Sequence, residues 1–215
     1  MSTTSGLTSK YDGHNMMTIM PTEPTRKQLS HDRIVEVAAR AIRRAGYHGV
    51  GVADIMKEAG LTHGGFYAHF ASRDALLVEA MQHAASDNKV ALAASVDKRV
   101  AQGEGRFAAL VRSYLHDTQL ASTEHGCVVA ALACEMARQD DALRDEARRR
   151  VRELVGTVRE ALPEGTDADA AHVVTATLIG ALQLARTLGG KAGGKAVLAR
   201  TRETLVSQYE PGHSG

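Results

Sequence analysis

The stretch "THGGFYAHF", residues 62–70, sets two glycines among a tyrosine and two histidines. A phenol and imidazoles on consecutive turns can donate hydrogen bonds to an anionic oxygen such as a phosphate. Gly64 and Gly65 remove side-chain bulk where another molecule would approach the backbone. Each glycine costs roughly 1 kcal/mol relative to alanine inside a helix, so a helix meant only to pack would avoid the pair. Arg73 adds a charge that neither packing nor capping is expected to require. The other reactive groups are Cys127 and Cys134. Cys127 follows Gly126 at the expected start of a helix, where the dipole lowers a thiol pKa and favours the thiolate, and His125 would add to this when protonated. The favoured reading is nevertheless that both thiols are inert small hydrophobes in the core. Seven residues of helix separate them by about 10 Å, beyond disulfide reach.

Catalytic and metal chemistry find little support. The ten histidines include no H-x-x-x-H pair, the cysteines form no C-x-x-C, and no phosphate loop or nucleophile–base constellation stands out. No cofactor, no metal and no enzyme activity is expected. Two cysteines suit a reducing cytosol. No apolar run is read as a membrane span and no signal peptide is read at the start, so the expected location is cytoplasmic.

These residues need elements to hold them. The chain of 215 residues is 44% hydrophobic, 4% aromatic and carries a net charge of +1, an alanine-rich composition that favours helices over sheets. The small net charge does not exclude DNA, because a local patch suffices when a dimer presents it twice. Residues 1–28, rich in Ser, Thr, Gly and Pro, read as a disordered tail. Ser30 is expected to cap a first helix with the apolar stripe Ile34, Val37, Ala38, Ala41 and Ile42, closed by Gly46. A short helix fits 52–59 and ends at Gly60. Thr62 then caps a helix over 63–70, and Ser72 caps the next. Further helices are expected near 73–101 (with a break around 86–88), 105–121, 126–138, 140–161, 167–188 and 193–209. The fold is all-α, with about nine helices.

Helix 52–59, a tight turn at Gly60 and helix 63–70 make a helix-turn-helix. In that motif the second helix enters the major groove of DNA and leads with its first residues. The glycines then allow close approach, and Tyr67, His69 and Arg73 supply phosphate donors. Such geometry also occurs in proteins that bind no DNA.

Residues 39–81, "ARAIRRAGYHGVGVADIMKEAGLTHGGFYAHFASRDALLVEAM", resemble the N-terminal domain of the TetR/AcrR family of bacterial transcription regulators. The matching features are Gly-Tyr at the end of the first helix, Val52 to Ile55, Ala59 to Thr62, Gly64, Tyr67, His69-Phe70, and a basic–acidic pair followed by two leucines. The resemblance implies a DNA-binding domain over 29–72 and a ligand-binding and dimerisation domain over 73–210. It implies that Thr62, His63, Gly64 and Gly65 meet the major groove, and that Val52, Tyr67, His69 and Arg73 contact phosphates. Gly51 departs from the family's usual Thr or Ser, leaving a backbone N–H to serve. Gly65 replaces a frequent hydroxyl residue, and Arg73 a frequent Lys.

A homodimer reading a near-palindromic double-stranded operator is therefore expected, released by a small-molecule effector and acting as a repressor. Two apolar stripes are expected to form its interface: Ala171, Val174, Thr175, Leu178, Leu182 and Ala185, with Leu143, Ala147, Val151, Leu154 and Val158. The alternative is that they bury only within the subunit. Arg148, Arg149, Arg150 and Arg152 read as an ion-pairing surface. Polar or soft groups on apolar helices, namely Tyr114, His116, Cys127, Met136, His172 and Gln183, are the candidate effector ligands. "HGCVVAALACEMA" resembles a segment from a branch of the family that includes electrophile- and oxidant-responsive repressors. A sensor of small molecules or oxidants that acts without sequence-specific DNA binding is the competing reading.

Overall fold

The structure, a computed structural model, describes residues 24–121, 123–190 and 192–210. Helix α1 spans Arg26–Ala45, five residues earlier at its start than a cap at Ser30 implies. Thr25 is the N-cap, its side chain accepting from the Gln28 amide at 3.2 Å. Ser30 lies inside the helix and donates its hydroxyl proton to the Arg26 carbonyl at 3.0 Å. The stretch 26–28 thus belongs to a helix, and most of the expected tail lies outside the described residues. The stripe from Ile34 to Ile42 is buried, and Gly46 closes the helix at φ 76, a left-handed conformation that suits glycine.

Helix α2 spans Val52–Glu58. The following turn leads to a 3-10 helix over His63–Ala68, not the α-helix expected there. Bonds from Gly65 to Thr62 and from His69 to Phe66 close it at i to i+3. Two glycines in six residues leave too little propensity to hold full α turns. What fixes it is packing: Phe66 and Phe70 are buried and stacked 5.6 Å apart, and Phe70 stacks on His31 of α1 at 4.6 Å.

Helix α3, Arg73–Val100, is capped by Ser72 and runs unbroken through the region expected to interrupt it. It packs on α1 at one end and on α4 (Arg106–Tyr114) and α7 (Asp141–Ala161) beyond. The helix expected over 105–121 divides, because α4 ends at Tyr114 and a short α5, Thr118–Ala121, follows. His116 sits in the break and accepts from the Thr118 amide at 3.3 Å. The first amides of α4 are capped from far away, Glu210 accepting from Phe107 and Ala108 at 3.2 and 3.3 Å. Helices α6 (Val128–Met136), α8 (Ala170–Leu188) and α9 (Ala192–Tyr209) complete the architecture. Among the described residues there are nine α-helices, one 3-10 helix and no strand.

Two expectations about the long helices need correction. The stripe Ala171, Val174, Thr175, Leu178, Leu182, Ala185 is buried within the subunit, as are Leu143, Ala147, Leu154 and Val158 of α7; only Val151 is exposed. Helix α8 packs against α7 and α9 with that face. It is apolar on both sides, so periodicity alone selected the wrong one. Its outward side carries Val173, Leu184 and Leu188, each about 60% exposed. This two-sided apolarity also makes α8, with mean hydropathy 1.2, long and apolar enough by length and composition to cross a membrane. No such run was expected. Arg148, Arg149 and Arg150 of α7 form ion pairs with carboxylates of the same helix, Arg150 with the buried Glu146 at 2.8 Å.

Candidate nucleic-acid interface and effector cleft

The 3-10 helix presents Thr62, His63 and Gly64 outward, with Gly65 half-buried. Tyr67 projects furthest, 74% exposed, with its ring edge on Phe66 at 5.2 Å. No heavy atom of the protein lies within 4 Å of where a Cβ on Gly64 would stand, and at Gly65 the nearest are 3.8 Å away. Neither glycine has a positive φ. Neither packing nor backbone conformation within the fold therefore requires these two glycines.

Around this turn, His69 is half-buried, with its Nδ1 enclosed and without a partner. Burial first, then His31 and Lys27, pull its pKa below the usual imidazole value, so it is neutral at pH 7. Lys27, at the start of α1, thus shares this face; it was missed because its segment read as tail. Val52 opens α2 with no side-chain cap on its amides. The carboxylate of Asp54 lies 3.1 Å from where a Cβ on Gly51 would be, so this helix end is not purely electropositive.

Arg73 differs from expectation. Its guanidinium donates to the Tyr47 carbonyl and to that of Val50 at 3.4 Å, so it ties the α1–α2 connection to the start of α3. It is half-buried and serves packing after all. The same connection is held from the other side. Glu135, near the end of α6, accepts from the Tyr47 amide at 3.0 Å. The fully buried Tyr47 ring sends its hydroxyl to Met81 of α3 at 3.8 Å. One residue, Tyr47, therefore joins α1, α3 and α6.

The other end of α6 borders a cleft of about 450 Å³. The structure brings three of the candidate effector ligands to it: Tyr114, His116 and Cys127. The other three lie elsewhere. Met136 is buried at the far end of α6, His172 is exposed on α8 beside Asp169, and Gln183 donates to the Ala130 carbonyl at 3.2 Å. Cys127 is the N-cap of α6 and 5% exposed, whereas Cys134 is exposed. Tyr114 is 4% exposed, and its hydroxyl has no oxygen or nitrogen partner and lies against the Cys127 thiol. Burial, then the neighbouring Cys127, push its pKa well above the ordinary phenol value. Arg186, not singled out beforehand, stands behind Gln119, its Nε donating to that carbonyl at 3.1 Å. A lone arginine inside the apolar run of α8 was the available signal.

Comparison with known proteins agrees with the geometry. Residues 34–80 match the family model described as bacterial regulatory proteins, tetR family. The chain is 26% identical over 168 residues to the HTH-type transcriptional regulator LmrA of Bacillus subtilis, across 74% of this chain and 87% of that one. It is 28% identical over 178 residues to an uncharacterized HTH-type transcriptional regulator of Mycobacterium tuberculosis, across 74% and 85%. A solved TetR transcriptional regulator from Chloroflexus aurantiacus superposes with a TM-score of 0.68 at 25% identity, across 85% of this chain and 96% of the other.

Proposed function

We propose that this chain is a regulator of the TetR family, as its similarities support, and that it works as a homodimeric repressor released from its operator by a small molecule. It is a DNA-binding regulator and not an enzyme, as its relatives are. The observation that carries the finer reading is the pair Gly64 and Gly65, exposed or half-exposed, with no role in the free fold. Thr62, His63 and both glycines meet base edges in the major groove, while Tyr67, His69 and the Val52 amide contact phosphates. Arg73 positions the motif and adds charge near the backbone of the DNA.

Residues 29–72 act as the DNA-binding unit, extended at the front to Arg26, and 73–210 as the effector-binding and dimerisation unit. The dimer forms through the outward face of α8. Val173, Leu184 and Leu188 stand there with the open Gly180 between them, an apolar row that water would otherwise cover. Its location is the cytoplasm, where its DNA is.

Fluorescence anisotropy against the DNA upstream of its own reading frame, with a scrambled duplex of equal length as control, tests the proposal. Preferential, salt-dependent binding that Gly64→Ala abolishes is the expected result. Equal or absent binding, unchanged by Gly64→Ala, would move the function to a sensor that acts without sequence-specific DNA contact.

A further inference from the structure

The cleft beside α6 carries information about the chemistry of its occupant. Among the described residues that line it are Lys98, Arg99, His116 and His125, and there is no Asp or Glu. Arg99 is offset by Glu104 at 2.8 Å just outside the lining. Arg186 does not itself line the cleft but stands behind three residues that do, Tyr114, Gln119 and Cys127. The Tyr114 hydroxyl is buried against the Cys127 thiol with no oxygen or nitrogen partner, and Nη2 of Arg186 also lacks one. Arg186 forms no ion pair among the described residues, and its only hydrogen bond uses Nε. Its electrostatic neighbours are Tyr114 and Cys127. Arg186 is half-buried, and its enclosed Nη2 without an acceptor is costly, as is a buried hydroxyl without one. One group would satisfy both, an acceptor oxygen carrying negative charge. The second cleft, of about 380 Å³, lacks this character, since Asp97, Glu153 and Glu160 offset its basic residues.

We propose that the cleft formed by the C-terminal half of α3, the end of α4, α5 and the start of α6 binds a small organic anion, its carboxylate or equivalent head group seated against the Tyr114 hydroxyl and the Arg186 guanidinium. The assignment of this anion as the effector rests on the ligand-responsive reading above. Arg186 provides charge, Tyr114 donates the second hydrogen bond, and the polar walls, including Ser95 bonded to Ser113 at 2.9 Å, take the rest of the molecule.

The test is thermal unfolding of the full chain in a chloride-free zwitterionic buffer at fixed ionic strength. The probes are matched carboxylate–amide pairs of increasing size: formate and formamide, acetate and acetamide, propionate and propionamide, benzoate and benzamide. A ligand that binds the native state alone raises Tm with its concentration. At least one carboxylate should do so while its amide does not. Arg186→Gln should weaken that response at least tenfold and Tyr114→Phe severalfold, with Arg186→Lys retaining part of it. Tyr114→Phe decides the matter if the Arg186 variants do not fold. No stabilisation by any carboxylate, equal stabilisation by the amides, or variants that respond like the parent chain would overturn the proposal. The same probes in the DNA-binding assay separate the two readings. An anion that raises Tm through Arg186 without releasing DNA sustains the site and defeats effector control. Release by amides and not by carboxylates sustains effector control and defeats the anion site.

Discussion

Single residues around the helix-turn-helix show what is there for the fold and what is there for the partner. Gly64 is the clearest case. Its Cβ position is empty and its φ is ordinary, so Gly64→Ala should leave the free protein equally stable or up to about 1 kcal/mol more stable. The same change should cut operator affinity at least tenfold; a thermal melt paired with a binding curve checks both, and unchanged affinity would remove the close-approach argument. His69 offers a proton test. Its pKa lies below the imidazole norm in the free protein, and a phosphate would raise it, so binding takes up a proton. Affinity should therefore strengthen as pH falls from 7.5 toward 6, and His69→Gln should flatten that slope. For folding the sign is opposite: the depressed pKa contributes stability above the unfolded imidazole value of about 6.5, and this is lost as pH falls through that range toward the folded pKa. Arg73→Ala should reduce both stability and DNA affinity, because its guanidinium is spent on the Tyr47 and Val50 carbonyls. If the slope of log affinity against log salt is unchanged in that variant, Arg73 acts only by positioning.

At the scale of elements, α6 is the member that touches both halves of the molecule. Cys127 at its start borders the cleft, and Glu135 near its end holds the amide of Tyr47, the residue after the C-cap of α1. A shift of this nine-residue rod caused by a ligand would be felt at Tyr47, whose carbonyl also accepts from Arg73. Glu135→Ala should cost about 1.5–3 kcal/mol, the range for a hydrogen bond to a charged group. It should also speed amide hydrogen exchange at Tyr47 while leaving α8 unchanged. Uniform acceleration across the chain would mean that Glu135 only supports global stability. The sequence had placed α6 and its cysteine start correctly. It carried no sign that Glu135 meets the first helix, because a contact spanning 88 residues leaves no periodic trace.

At the scale of the whole molecule, the proposed homodimer is tested at the outward face of α8. Leu184→Glu places a charge in the exposed apolar row of α8 and should sediment as a monomer where the parent chain sediments as the proposed dimer, with loss of operator binding in parallel. Helix content should not change, since Leu184 packs on nothing that the subunit core needs. A variant that remains dimeric would place the interface elsewhere. Dimerisation matters here because a six-residue recognition helix on one subunit reaches few base pairs.

Local chemistry determined much of this in advance. Alanine-rich periodic segments, Ser72 as a cap, Gly46 and Gly60 as stops, and the glycines beside Tyr67 are short-range signals, each readable within a turn or two of chain. From them came the all-α class, the helix-turn-helix and the face it presents. Tertiary structure alone decided the rest. It chose which side of α8 is core, because both sides are apolar and only packing against α7 and α9 breaks the tie. It made the recognition element a 3-10 turn, because Phe66 and Phe70 anchor what glycine propensity would not. It also set Arg186, from α8, close to Tyr114 and Cys127, from α4 and the start of α6. Burial makes an unpaired charge informative, and burial is a property of the assembled chain.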